Sequence, residues 1–367
     1  MIENLKQGGS ERYVAELARS APEFGVSPHV VCFAEGGIFF EELLQNKIPL
    51  TVVPICSLYH PSALVGLSKL FFYVRKHRIQ LVHSFQPNAN ILGTFLAKMS
   101  RIPVIVSRRS LGDFGTLGTN RLEWFQRNIT NPFADKFLAN SKAVLLSAVS
   151  REGVPVDRFA MIYNGLDVKT FSPPPNRDPF RKALGFSSDD FVFGVVSGLR
   201  PVKGVDVVIN GFAEIAKKFQ HARLLIVGDG PERERLERLV MTLGFPDRVL
   251  FLGTQRKMED IYPAMDVFVL CSHSEGFSNA ILEAMGMGLP VIASRVGGNI
   301  EMVSEGGNGF LITPDVPKEL GEKMKFFLEN KEMVPIMGKR SREWIEQTNS
   351  HSFIHQQFAD LYKEVCR

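Results

Sequence analysis

Glu275 and Glu283, with seven residues between them, flank a glycine turn, Glu275-Gly276-Phe277, that leads into a helix whose first turn is Ser278-Asn279-Ala280. A helix start offers N–H groups without intrahelical partners and the positive end of the dipole, which together suit a phosphate. Two carboxylates beside such an anion site would repel it unless they faced something else. Ionised carboxylates only accept hydrogen bonds, so sugar hydroxyls are their natural partners. Upstream, Lys203 lies just before Gly204 and a helix, where a cation would stabilise charge building on a departing diphosphate. A solvated lysine in a helix N-terminal turn is the plainer alternative. No Asp-x-Asp and no His/Cys cluster offers a ligand set, so neither a metal nor another cofactor is expected.

The elements around these residues follow from the hydrophobic pattern. An apolar run at 266–270 reads as a strand buried on both faces, followed by the glycine loop, a helix, and the next strand at 290–293. In a parallel sheet the mouth of such a unit lies outside the carboxyl ends of the strands, where ligands bind. The second half carries further strands at 191–196, 223–227, 249–252 and 309–312, with helices at 205–218, 232–242, 258–264, 318–329, 333–347 and 353–365. In the first half, strands at 29–33, 50–53, 81–83, 104–106 and 136–139 alternate with helices at 10–23, 38–45, 63–75, 89–99, 121–128 and 142–151. Strands separated by helices of this length imply right-handed crossovers and doubly wound parallel sheets, an α/β fold in two similar domains. Pro173-Pro174-Pro175 cannot continue a helix or a central strand, so a linker is placed there.

The Glu275/Glu283 pair, followed by Ala284-Met285, Gly288-Leu289-Pro290-Val291 and Gly297-Gly298, resembles the retaining glycosyltransferases of family four, of the GT-B fold. Gly8-Gly9-Ser10-Glu11, Asn140-Ser141, Asn164-Gly165-Leu166-Asp167, Lys203-Gly204 and Gly228-Asp229-Gly230-Pro231 fall in the family's order, so the resemblance covers nearly the whole chain.

It implies two Rossmann-like domains facing a cleft: an acceptor-side domain at 1–173, rejoined by a final helix within 350–367, and a nucleotide-sugar domain at 174–349. The implied reaction is retaining transfer of a sugar from a nucleotide diphosphate sugar to a hydroxyl of a glycan or lipid-linked acceptor, without a covalent intermediate. The resemblance assigns Glu275 to the sugar hydroxyls and Glu283 to the ribose. The N–H groups of Phe277, Ser278 and Asn279, with Gly276 in the turn and Lys203 opposite, would hold the diphosphate. Gly8 and Gly9 would line the cleft opposite the donor, and Gly228 and Gly230 would lie beside the base.

Two positions depart from the pattern. The family's arginine five residues before the lysine is Gly198 here, with Arg200 two residues on able to reach the same phosphate. After the strand at 104–106, where the family often has a histidine touching the donor sugar, the chain has Arg109. An anionic acceptor, an anionic sugar or the diphosphate would suit that arginine, and so would plain solvent. His83, at the edge of the preceding strand, reads as a structural histidine. Two rivals remain at this point: an epimerase or phosphorylase on the same fold, and a non-catalytic nucleotide-sugar-binding subunit.

At 367 residues the chain is long enough for two cores. Four well-separated cysteines, Cys32, Cys56, Cys271 and Cys366, form no CxxC pair and fit a reducing compartment. No apolar run is long enough to span a bilayer, and the composition calls for no nucleic acid partner, so a cytoplasmic protein is expected. The charge is uneven: residues 1–173 carry 19 Lys and Arg against 13 Asp and Glu, while the remainder carries 24 against 26. With the apolar helix at 63–75 running into Arg75-Lys76-His77-Arg78, the basic half makes a peripheral contact with an anionic inner-membrane face one expectation, and burial against the sheet the other. Finally, the family's central strand precedes the glycine pair, and only Met1-Ile2-Glu3-Asn4-Leu5 stands there. The expectation is a start lacking about a strand of residues; the alternative is a short strand formed by residues 1–5.

Overall fold

The computed structural model describes residues 1–6, 8–55, 57–58, 60–112 and 124–367. The chain divides into two compact units, one of residues 1–164 with 352–367 and one of residues 165–351. The proline run at 173–175 lies inside the second unit.

In the first unit every strand pairing is parallel. β1 (Val30–Cys32) pairs with β2 (Leu50–Val52), and β3 (Val82–Ser84), β4 (Val104–Arg108), β5 (Lys136–Ala139) and β6 (Phe159–Met161) follow in spatial order. Residues 1–3 lie between β1 and β3. Ile2 N–H donates to Val31 O and Phe33 N–H to Glu3 O, while Phe85 N–H donates to Met1 O on the other side. Residues 1–3 make one isolated parallel bridge there, Ile2 to Cys32, and Ile2 and Leu5 are fully buried in the adjoining core. The final helix, His351–Val365, contributes Ile354, Phe358 and Leu361 to that same core.

Two expectations in this unit change. The strand β6 was not anticipated. Of the helix placed at 121–128, residues 121–123 lie outside the described residues, as does Cys56, and Gln126–Thr130 forms a π-helical turn.

The second unit holds one six-stranded parallel sheet, built of β7 (Phe191–Val196), β8 (Ala222–Val227), β9 (Val249–Gly253), β10 (Val267–Leu270), β11 (Val291–Ser294) and β12 (Gly309–Ile312). Its spatial order is β12-β11-β10-β7-β8-β9. The chain leaves β7 toward β8 and β9, then returns to place β10 on the other side of β7. This is the reversal of strand order beside which open α/β sheets bind ligands. All four residues of β10, β11 and β12 are buried, as expected of strands covered on both faces. The helix expected at 258–264 is instead two 3₁₀ turns, Met258–Asp260 and Tyr262–Ala264, because Pro263 has no N–H for a continuous α-helical ladder.

Candidate active site

The loops leaving β7 and β10 meet at the reversal point. After β7 the chain makes a 3₁₀ turn, Pro201–Lys203, and then Gly204 in the left-handed region at φ +57°. A Cβ on Gly204 would stand 2.2 Å from the carbonyl oxygen of Cys271, so only glycine lets this loop lie on the end of β10. That close approach places Lys203 against the loop carrying Glu275. Lys203 Nζ donates to Glu275 Oε1 at 2.7 Å, with the lysine side chain 28 % exposed and the carboxylate 10 %. Ser272 Oγ donates to the same oxygen, also at 2.7 Å. Among the described residues nothing donates to Oε2.

Helix Asn279–Gly286 begins directly after this loop, with Ser278 as N-cap accepting from Ile281 N–H. The turn Gly276-Phe277 is clamped from behind by Gly298, whose N–H donates to Gly276 O at 3.1 Å. A Cβ on Gly298 would sit 2.3 Å from that carbonyl oxygen, so the second of the paired glycines is there for close approach. Glu283, one turn into the helix, is only 2 % exposed, and Tyr262 Oη donates to its Oε2 at 2.8 Å. The tyrosine comes from one of the 3₁₀ turns before β10, a contact no sequence spacing announces.

Arg200 is exposed, and its Nε lies 3.8 Å from the place a Cβ on Gly198 would take. Its side chain therefore passes over the position left vacant by glycine. Gly228 and Gly230 occupy the loop after β8, where a Cβ on either would strike the backbone oxygen of Ser197 or Leu199. That loop is held to the β7 loop by Leu199 N–H donating to Asp229 O at 2.9 Å. Pro231 precedes helix Arg233–Leu243 by two residues.

The remaining residues belong to the first unit. Gly8 is the N-cap of helix Gly9–Ser20, where a Cβ would meet the Glu11 carboxylate; Gly9 has open space around it. Arg109, immediately after β4, is half-buried rather than a solvated surface charge. His83 is bonded at both ring nitrogens, to Tyr362 Oη and Ser107 Oγ, each at 2.8 Å. Burial holds its pKa well below the usual histidine value. Among the described residues no group of three or more His, Cys, Asp or Glu side chains gathers as a metal site, and no helix is long and apolar enough to cross a membrane.

The family model for group 1 glycosyl transferases matches residues 176–344, and the model for glycosyltransferase family 4 matches residues 7–170. The chain belongs to glycosyltransferase family four. One relative is the N-acetyl-alpha-D-glucosaminyl L-malate synthase of Bacillus anthracis, 27 % identical over 98 % of this chain and 95 % of that protein. Another is the UDP-Gal:alpha-D-GlcNAc-diphosphoundecaprenol alpha-1,3-galactosyltransferase of Escherichia coli, 32 % identical over 67 % of this chain and 66 % of its own.

Among solved structures, Anabaena HepE in complex with UDP superposes with a TM-score of 0.89 at 26 % identity, covering 99 % of this chain and 98 % of that one. The same protein with UDP-glucose gives a TM-score of 0.87. The fold of this family-four chain is therefore GT-B, and it is a glycosyltransferase by family. The sequence singled out Lys203, Glu275 and the helix start at Ser278, and these three converge. Ser272, which donates to Glu275, and Tyr262, which donates to Glu283, are marked by no sequence spacing.

Proposed function

We propose that this chain moves a glycosyl group from a UDP-sugar to a hydroxyl acceptor, with retention of anomeric configuration and without a metal ion. The observation that carries this reading is the Lys203–Glu275 pair at the reversal point of the second sheet, beside the start of helix Asn279–Gly286. Lys203 neutralises a carboxylate that would otherwise repel phosphate. When a diphosphate arrives, Lys203 and Arg200 supply cations, and the helix start supplies amide dipoles. The open Oε2 of Glu275 then accepts from a hydroxyl of the sugar. Glu283, fixed by Tyr262, is the acceptor for the ribose hydroxyls.

The bond from the anomeric carbon to the β-phosphate oxygen breaks as the acceptor oxygen forms its bond on the same face. The departing phosphate oxygen takes the acceptor's proton. Protein groups act by orientation and by stabilising the leaving charge. UDP as the nucleotide rests on the HepE complexes. A lipid-linked or glycan acceptor rests on relatives such as the diphosphoundecaprenol galactosyltransferase.

The first unit adds a surface suited to such an acceptor. Residues 43–112 contain nine Lys and Arg and no Asp or Glu, and of these Lys98 and Arg108 are paired with Asp135 and Glu152 from outside the stretch. On helix Ser62–Lys76, Leu70 and Val74 are buried, while Leu64 is 72 % and Phe72 70 % exposed beside Lys69, Arg75 and Lys76. We place an anionic bilayer against that face.

The test of the reading is incubation with a panel of UDP-sugars and acceptors in excess EDTA, with the product's anomeric configuration read by NMR. UDP release coupled to a product of unchanged configuration is expected. Inversion, or complete loss of turnover on chelation with recovery on adding magnesium or manganese, would contradict it.

A further inference from the structure

Two consecutive arginines end β4, and they differ in one respect. Arg108 holds Glu152 through both carboxylate oxygens, Nε to Oε1 and Nη2 to Oε2, each at 2.7 Å. Arg109 has no carboxylate within ion-pair distance among the described residues. Its guanidinium carbon lies 3.5 Å from the centroid of the Tyr13 ring, and Nη2 donates to Asn164 Oδ1 at 2.8 Å. The acids nearest to it are engaged elsewhere. Glu16 is paired with Arg12 at 2.8 Å, and Glu11 accepts from Gln86 Nε2 at 2.7 Å.

The surroundings make this arrangement costly unless a ligand completes it. Tyr13 is 5 % exposed, and its phenol interacts directly with the Arg109 guanidinium. A half-buried cation that no carboxylate contacts gives up hydration and gains only the more distant charges of Glu16 and Glu11 in return. It nevertheless stands at the carboxyl end of a parallel strand, the edge where such sheets bind ligands. Stacking on an aromatic ring and a bond to an amide oxygen hold the fork in place without consuming its charge.

We propose that Arg109, oriented by Tyr13 and Asn164, binds an oxyanion carried by the substrate, a carboxylate or phosphate on the acceptor or on the donor sugar. The proposal rests on the glycosyl-transfer reading above and adds the class of substrate. Planar guanidinium donors match both oxyanions bidentately, so a neutral analogue would leave the arginine unpaired. Discrimination of at least tenfold against the neutral analogue is expected.

The test measures affinity by calorimetry for matched probes. On the donor side these are UDP-glucuronic acid and UDP-glucose. On the acceptor side they are glycerol 3-phosphate and L-malate against glycerol, each with and without UDP. The wild type should prefer the anionic member at least tenfold on one side, and that side identifies the source of the oxyanion. Arg109→Met should bring the ratio to about one while UDP affinity stays within about twofold. Asn164→Asp keeps the arginine and gives it a permanent counter-ion, and it should erase the preference in the same way. No preference on either side in the wild type, or a preference that survives both substitutions, would overturn the proposal. Failure of the wild type to bind UDP at all would count instead against the donor site at Lys203 and Glu275, because the acceptor probes are also read without UDP.

Discussion

Lys203 and Glu275 are 72 residues apart in the chain and form a hydrogen-bonded ion pair of 2.7 Å. The pair exists because Gly204 lets the β7 loop rest on the carbonyl of Cys271. Its geometry is asymmetric: lysine and serine both donate to Oε1, and Oε2 is left for another donor. The lysine is thus held by the carboxylate next to which it is expected to act.

Replacing Lys203 with alanine should lower kcat by roughly 10²–10³-fold, the range for losing one preorganised donor to a developing anion. The partly exposed pair contributes little to folding, on the order of 1 kcal/mol or less. Turnover measured beside thermal unfolding checks this. Wild-type turnover, or a loss explained entirely by unfolding, would remove Lys203 from the mechanism.

Glu283 and Tyr262 give a separable pair of effects. Glu283→Gln should weaken UDP binding by about 1.5–3 kcal/mol, the range for hydrogen bonds to a charged group. Tyr262→Phe removes the donor to a buried carboxylate and should cost about 1–3 kcal/mol of stability. Calorimetric titration of UDP and chemical denaturation read the two. Unchanged nucleotide affinity in Glu283→Gln would take the ribose assignment away from this residue.

The convergence of Lys203, Glu275 and the Ser278 helix start was legible because its signals are local. Lys203-Gly204, the Glu275/Glu283 spacing and the Ser278 cap each sit within one loop or turn, and β7 and β12 are apolar runs whose ends the structure keeps. What could not be read depends on distant partners. Tyr262 meets Glu283 across 21 residues and Asn164 meets Arg109 across 55, with no spacing rule to connect them. The strand β6 is three residues long and follows directly on a 3₁₀ turn at Val156–Arg158, too short for an alternating pattern to register. Residues 1–3 run extended between β1 and β3 because both strands offer them hydrogen bonds, not because of their own propensity.

His83 gives a pH dependence. Burial lowers its folded pKa well below the ordinary value of 6.5, so the unfolded chain binds the proton first. Its contribution is fully present above about pH 6.5 and is lost as pH falls, by about 1.4 kcal/mol per unit until the folded pKa is reached. Denaturation of wild type and His83→Gln between pH 7 and 5 should show a steeper decline for the wild type. Parallel curves would mean that His83 is not kept neutral by the fold.

Helix Ser62–Lys76, with its exposed Leu64 and Phe72 beside Lys69, Arg75 and Lys76, should bind anionic but not neutral vesicles, and high salt should release it. Leu64→Ser combined with Phe72→Ser should weaken that binding several-fold while leaving UDP affinity unchanged. Equal cosedimentation with both vesicle types, or no effect of the double substitution, would assign the exposed apolar residues another role.

The central claim is that the diphosphate of the donor is held where the β7 and β10 loops meet. A crystal structure of the chain with UDP tests it most directly. The account predicts diphosphate oxygens within about 3 Å of Lys203 Nζ and of the amides at the start of helix Asn279–Gly286, with the lysine drawn from Glu275 Oε1 toward the phosphate. UDP bound elsewhere, or bound with Lys203 still paired to Glu275 and out of reach of the phosphates, would contradict it.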